Sequence, residues 1–208
     1  MAPPEDTAAL DSRAPSQRSA LPGPLVSTKL RAPAAGSGHR ERPRISALLD
    51  RGLEDGARLT LLSAPPGYGK TVAATGWLAS RGPGCAWLSL DTADNDLARF
   101  VRYLVAALRS VRPDAGEAML GRFGPGGNPS IDLIGATLLD EIATSGDPFV
   151  LVLDDYQVIS AEPIHRLVRF LIEHGPPFAH LVVLIPFSVR VTTSRYRSRS
   201  LGAAHAHE

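Results

Sequence analysis

Arg58–Ala74 reads RLTLLSAPPGYGKTVAA: an apolar run, a Pro/Gly-rich turn, then Lys-Thr opening a helix-compatible stretch. That order is the order of a strand, a phosphate-cradling loop and a helix, and the context turns a short pattern into a physical expectation. Backbone amides of such a turn, with the unpaired amides and dipole of the helix start, point at phosphate oxygens. Gly67 and Gly69 stand where the backbone must approach phosphates closely or take positive φ. Lys70 supplies a point charge for β and γ phosphates, and the Thr71 hydroxyl is placed to ligate magnesium. The expected nucleotide-contacting segment is therefore Pro66, Gly67, Tyr68, Gly69, Lys70 and Thr71. The strict pattern has glycine where Ala64 stands; a methyl group is tolerated there, ahead of the tight turn, provided φ is negative. Taken alone, the segment could also be a Gly/Pro turn that only mimics such a loop.

A second segment weighs against mimicry. Phe149–Gln157 reads FVLVLDDYQ, an apolar strand ending in two carboxylates. Ligands of a parallel sheet bind beyond the carboxyl ends of its strands, so this pair and the loop should face one crevice. Two acids ending a buried strand are costly without a cation or partners. Asp154 is the expected magnesium holder, through water, and Asp155 the residue that orients or deprotonates an attacking water.

The 208 residues, 44% hydrophobic with a net charge of +1, suffice for one domain with a core. Apolar runs such as FVLVL and LVVLI fall far short of the roughly 20 residues that cross a bilayer, and MAPPED lacks the features of an export signal. A soluble, cytoplasmic protein is expected. The single cysteine, Cys85, excludes an internal disulfide framework and reads as a buried thiol. Residues 1–27 mix Pro, Ala, Ser and scattered charge without periodicity, as a disordered leader does. From Leu59 short apolar runs alternate with helical periodicity, the mark of a parallel sheet with crossover helices.

Four buried strands are expected: Leu59–Ser63, Cys85–Leu90, Phe149–Leu153 and Leu181–Ile185. Between them, Leu97–Arg109 carries apolar residues at helical spacing with Arg99 and Arg102 on the solvated face. A stripe of Ile131, Ile134, Leu138 and Ile142 follows a Ser130 N-cap. Glu162–His174 ends at a Gly-Pro-Pro stop, with His165 beside its apolar stripe as a packed or solvated residue. The bridge RPDAGEAMLGRFGPGGNPS, residues 112–130, reads as a mobile surface loop.

Six segments, in order, resemble the large ATP-binding transcriptional regulators of LuxR type, maltose-regulon-activator-like members of the STAND class of P-loop ATPases. They are TKLRAP, RPRISALLDRGL, RLTLLSAPPGYGKT, WLSLDTADNDLARFVRYLVAALR, FVLVLDDYQVI and IHRLVRFLIEHGPPFAHLVVL, spanning about Thr28 to Leu184. Alanine is common at the Ala64 position in that family, whereas histidine is usual where Gln157 stands. The resemblance implies an α/β P-loop NTPase core over residues 28–185 that binds ATP or ADP with Mg2+. Occupancy would set whether a long regulator opens and self-associates, and slow hydrolysis would reset it. It also implies a winged-helix segment, a helical-repeat sensor and a DNA-binding helix-turn-helix. Those do not fit in 208 residues, so the C-terminal part of the domain is expected to be missing and direct DNA binding is not expected of this chain.

After HLVVL the family continues with a polar residue, a γ-phosphate-sensing arginine, an acid and a Pro/Leu-rich run. Here the chain reads IPFSVRVTTSRYRSRSLGAAHAHE. Residues 186–208 are expected to form a divergent, basic, disordered tail. Four arginines, Arg190, Arg195, Arg197 and Arg199, flank Tyr196, but so few charges would give only weak, salt-sensitive nucleic-acid binding. With a suitable choice of codons, reading Val191–Arg199 from one base earlier yields Arg, Asp, Asp, Leu, Ala, Leu, Pro, Leu, Ala, close to the family's continuation. The competing readings are a small-molecule kinase of another P-loop class, with Arg122 of the bridge in a lid, and a non-functional fragment or interaction module. The frame-shift reading is checked by sequencing the gene: an intact downstream frame encoding repeats and a helix-turn-helix is expected, and its absence defeats the idea.

Overall fold

The computed structural model describes residues 24–34, 42–82, 84–120, 129–144, 146–186 and 190–194. Strands β1 (Leu59–Ser63), β2 (Cys85–Ser89), β3 (Phe149–Asp154) and β4 (Ala179–Ile185) form a parallel sheet. Each coincides with an expected strand to within two residues at either end. With β5 (Arg190–Ser194) the sheet order is β2-β3-β4-β1-β5. Helices α1 (Pro43–Glu54), α2 (Lys70–Ala79), α3 (Leu97–Leu108), α4 (Glu117–Leu120), α5 (Ile131–Ala143) and α6 (Glu162–His174) flank it.

The period-2 alternation of side chains distributes β3 between two cores. Phe149, Leu151 and Leu153 face a cluster built with Phe100, Leu104, Ile134, Leu138 and Leu167 of α3, α5 and α6. Val150 and Val152 face a second cluster with Leu49 of α1 and Ala74, Trp77 and Leu78 of α2. Both faces of the sheet are covered, which is why its strands read as continuous apolar runs. The connection from β1 to β2 runs through α2 on one face to the far edge, and the connections from β2 to β3 to β4 return on the other. The reversal makes β1 the switch point, beyond whose carboxyl end a ligand crevice is expected. This is a P-loop NTPase-like α/β fold.

Three stretches differ from expectation. Arg190–Ser194, read as part of an unstructured tail, is a strand antiparallel to β1, pairing Ser194 with Leu59 and Arg190 with Ser63. Val191, Thr192 and Thr193 are β-branched, and β1 offers an edge whose amides and carbonyls need partners. Residues 195–208 and residues 1–23 of the expected leader lie outside the described residues, but its end, read as disordered, is docked: Leu25 packs against the core and the Val26 amide donates to the Tyr103 hydroxyl at 3.2 Å. The bridge read as a mobile loop is docked over its first part: Ala115 and Met119 are buried, and the Glu141 carboxylate accepts the Gly116 and Ala118 amides at 2.7 and 2.8 Å. Residues 121–128 lie outside the described set.

The segment before the first long helix is also tied down. Ser27–Leu30 forms a 3-10 turn whose Lys29 ammonium bonds Asp94 and, at 2.9 Å, Asp91. Asp94 is fully buried and accepts a further bond from Arg99 Nε at 3.0 Å. A buried carboxylate needs both cations, because losing one partner leaves an uncompensated charge in low dielectric.

Helices α5 and α6 meet at Gly135, where an added Cβ would lie 2.3 Å from Phe170 Cδ1. Gly135→Ala is therefore expected to destabilise the fold by about 1–3 kcal/mol through overpacking, read as a lower denaturation midpoint. His180, at the amino end of β4, is buried, with Nδ1 2.5 Å from the Ala57 carbonyl and Nε2 3.0 Å from Thr60 Oγ1. Burial pushes its pKa below the ordinary value; the bond to Ala57 opposes this and the Arg81 charge adds to it. The unfolded chain therefore takes up this proton first as pH falls through about 6.5, and stability is lost on the acid side. The melting temperature should drop between pH 7.5 and 5.5, and the drop should be smaller in His180→Gln.

Candidate functional site

The loop between β1 and α2 has the geometry its residues suggested. Ala64 is buried, its amide donating to the Ile185 carbonyl at 3.3 Å, and its φ is not positive. The methyl group is thus accommodated where the strict pattern has glycine. The Tyr68 amide closes a turn onto the Pro65 carbonyl at 3.2 Å. Gly67 and Gly69 take φ of +80° and +71°, left-handed values that side chains disfavour. Gly69 is the N-cap of α2, and among the described residues no side chain caps that helix. Its first amides are left available for an anion.

Around this turn the charged groups converge. Lys70 Nζ folds back onto the Ala64 and Pro65 carbonyls at 2.8 and 3.4 Å. Thr71 Oγ1 lies 3.2 and 3.1 Å from the two carboxylate oxygens of Asp154, donating across the intervening β4. Asp154 also accepts the Asp155 amide at 3.0 Å. Although 4% exposed, it faces no cation at contact distance among the described residues. Burial raises its pKa and the neighbouring Asp155 raises it further; the bonds from Thr71 and the Asp155 amide and the Lys70 charge pull the other way. Such a carboxylate gains from a bound cation.

Asp155 is exposed and adopts φ 58°, the one positive φ of a non-glycine residue among those described. Gln157 Nε2 donates to Asp155 Oδ1 at 3.0 Å, which gives a role to the residue standing where the resembling family has histidine. Tyr156 OH lies 2.8 Å from His165 Nδ1, so His165 is a packed, bonded residue, as expected, and burial pushes the Tyr156 phenol up to about 12.

The structure thus brings Lys70, Thr71, Asp154 and the glycines of the loop together, with Asp155 one residue beyond Asp154. Pro66 and Tyr68 lie on the exposed rim of the same turn. Sequence reasoning missed one wall. A cavity of about 350 Å³ opens beside the loop, lined by Arg42, Arg44, Ile45 and Leu48 of the α1 region and by Tyr68, Gly69 and Lys70. The Arg42 guanidinium comes so near that a Cβ on Gly69 would sit 3.3 Å from its Nη2. The signal was present in RPRISALLDRGL, a helix with proline at its first position and arginines on either side of it. Arg122, the candidate lid arginine, lies outside the described residues.

No family model matches the chain. It is similar to proteins named HTH-type transcriptional regulator MalT: 38% identical over 130 residues to that of Klebsiella pneumoniae, covering 61% of this chain and 14% of the relative. To that of Vibrio cholerae it is 33% identical over 160 residues, covering 77% and 17%. To that of Serratia proteamaculans it is 35% identical over 130 residues, covering 61% and 14%. The chain is related to MalT-type transcriptional regulators and spans about a sixth or less of the length of these curated relatives.

Proposed function

We propose that the chain binds ATP or ADP with Mg2+, as the nucleotide-binding core of a LuxR-type regulator of the STAND class, and hydrolyses ATP slowly at best. One observation carries the reading: the Thr71 hydroxyl and the buried Asp154 carboxylate meet at the uncapped start of α2. The donor set fits the cation. Magnesium is bound in such sites by one or two protein oxygens, with phosphate and water completing its shell, and Thr71 with Asp154 offers that number. When bound, the metal would neutralise phosphate charge and draw on the strained ionisation of Asp154.

Each remaining residue has a definable part. The amides of Gly67, Tyr68, Gly69, Lys70 and Thr71 hold the phosphates, and Pro66 shapes the turn. Lys70 exchanges its two carbonyl partners for phosphate oxygens, a stronger charge-assisted contact. Arg42 and Arg44 border the cavity beside the loop and add positive charge to it. Asp155, held by Gln157, orients a water for in-line attack. At the end of β4 stand Ile185 and Pro186, where the resembling regulators have a polar residue and an arginine; the charge that would stabilise the departing γ-phosphate is not supplied there, which is the reason for slow turnover. A nucleotide-set switch of this kind suits a cytoplasmic regulator, and among the described residues no helix is long and apolar enough to cross a membrane.

Thermal melting with and without Mg-ATP tests the reading. Ligand at 100 times its Kd should stabilise the chain by about 2.7 kcal/mol, and Lys70→Ala should lose that shift. Equal ATP affinity in Lys70→Ala would sink the site assignment. Asp155→Ala should keep the shift and release no phosphate from ATP.

A further inference from the structure

Asn95, on the loop leaving β2, is engaged through every polar atom of its side chain. Its Nδ2 donates to the Thr92 carbonyl at 3.0 Å and to the Val158 carbonyl at 2.9 Å. Its Oδ1 accepts from the amides of Ser160 at 2.7 Å and Ala161 at 2.9 Å and from Ser160 Oγ at 3.2 Å. One carboxamide thereby grips both ends of Val158–Ala161. Ala161 is the N-cap of α6, whose first turn no side chain caps, and Asn95 holds the amide of the N-cap residue itself from a different part of the chain.

The gripped segment is continuous with Asp155. Val158 N donates to the Asp155 carbonyl at 3.1 Å and Ile159 N to the Tyr156 carbonyl at 3.1 Å, closing the 3-10 turn Tyr156–Val158 directly behind the acid. Asp155 sits in the left-handed region, which a non-glycine residue holds only when its surroundings over-determine it. The mount on the other side is equally fixed. The Leu90 amide bonds the Asp154 carbonyl at 3.0 Å, and the Thr92–Asn95 turn is closed by Asp91 and by buried Asp94, itself held by Lys29 and Arg99.

We propose that Asn95 is a positioning residue for ATP hydrolysis: it locks the turn that follows β3 and thereby fixes the place of Asp155, one residue beyond the Asp154 that bonds Thr71. This rests on the reading of Asp155 as the water-orienting acid. The bonds of Asn95 go to Thr92, Val158, Ser160 and Ala161, none of them in the proposed nucleotide or metal set, so it acts on turnover and leaves binding alone. The two halves of its carboxamide have separate duties, because the oxygen holds the Ser160 and Ala161 amides while the nitrogen holds Val158, next to the acid's own turn. A carboxylate in its place keeps the first duty and replaces the second with repulsion against the Val158 and Thr92 carbonyls.

The experiment compares the full chain with Asn95→Ala, Asn95→Asp, Asp155→Ala and the double variant Asn95→Ala/Asp155→Ala. It measures Mg-ATP Kd and single-turnover phosphate release, with melting curves as a check on folding. Asn95→Ala should keep Kd within about threefold and slow release by about tenfold to a hundredfold, the size of effect a misplaced group produces. Asn95→Asp should still melt cooperatively, though below the parent because its second oxygen faces the Thr92 and Val158 carbonyls, and still be slow. The double variant should be no slower than Asp155→Ala, because Asn95 works through that acid. Release at the parental rate in Asn95→Ala, or a double variant slower than Asp155→Ala alone, overturns the proposal while leaving the acid in place. Parental release in Asp155→Ala, or none in the parent, overturns the acid assignment and this proposal with it. Should Asn95→Ala fail to fold, Asn95→Asp decides: slow release at unchanged Kd supports the positioning role, and parental release removes it.

Discussion

A strand buried along its whole length cannot end in a carboxylate without consequence, and in this fold the bond between Thr71 and Asp154 is the consequence. It joins the first turn of α2 to β3, two elements that are not neighbours in the sheet, since β4 lies between β1 and β3. The hydroxyl comes from the residue after Lys70, so fixing Asp154 also fixes where the loop's lysine and glycines lie. The same carboxylate takes the Asp155 amide, which sets the departure of the chain from the strand. Loop, helix start and acidic turn are thus indexed to one buried group, whose pKa burial and the Asp155 charge push up while the hydroxyl and the amide pull it down.

The frame around that group divides the labour between its faces. The layer of α1 and α2 contacts the phosphate loop and holds Arg42 and Arg44, while the layer of α3, α5 and α6 supports the acidic turn from behind. The sheet transmits position between them because its register is set by alternation: a slip of one residue would send Val150 and Val152 into the wrong core. Gly135 lets α5 and α6 approach closely enough to seal the second layer.

The parallel strands and the principal helices were legible because burial on both faces makes a strand a short apolar run and burial on one face makes a helix a periodic stripe. Ser130 announced α5, and its Oγ accepts the Leu133 amide at 3.3 Å. The loop and the Asp154–Asp155 pair were legible for a chemical reason, since few residues other than glycine take Gly69's backbone and few strands tolerate a terminal acid pair. What stayed hidden depended on distant partners. Four residues of α4 carry no periodicity, and their anchor, Glu141, is more than twenty positions away. The pairing of Arg190–Ser194 is set by the free edge of β1. Lys29 carries no signal of its own in the sequence, because its partner Asp94 is 65 residues away. The cavity wall of Arg42 and Arg44 required knowing that α1 packs on α2.

The chain's two tryptophans, Trp77 and Trp87, both belong to the same layer. Trp77 Nε1 donates to Asp50 of α1 at 2.8 Å, bridging the helix that begins at the phosphate loop and the helix that lines its cavity. The opposite layer has no indole among its described residues. Fluorescence excited selectively at the indoles is therefore a one-sided signal, weighted to the layer of α1 and α2, whereas Tyr156 in the acidic turn and Tyr103 behind it belong to the other layer, so the two halves of the site can be watched separately by choosing the excitation.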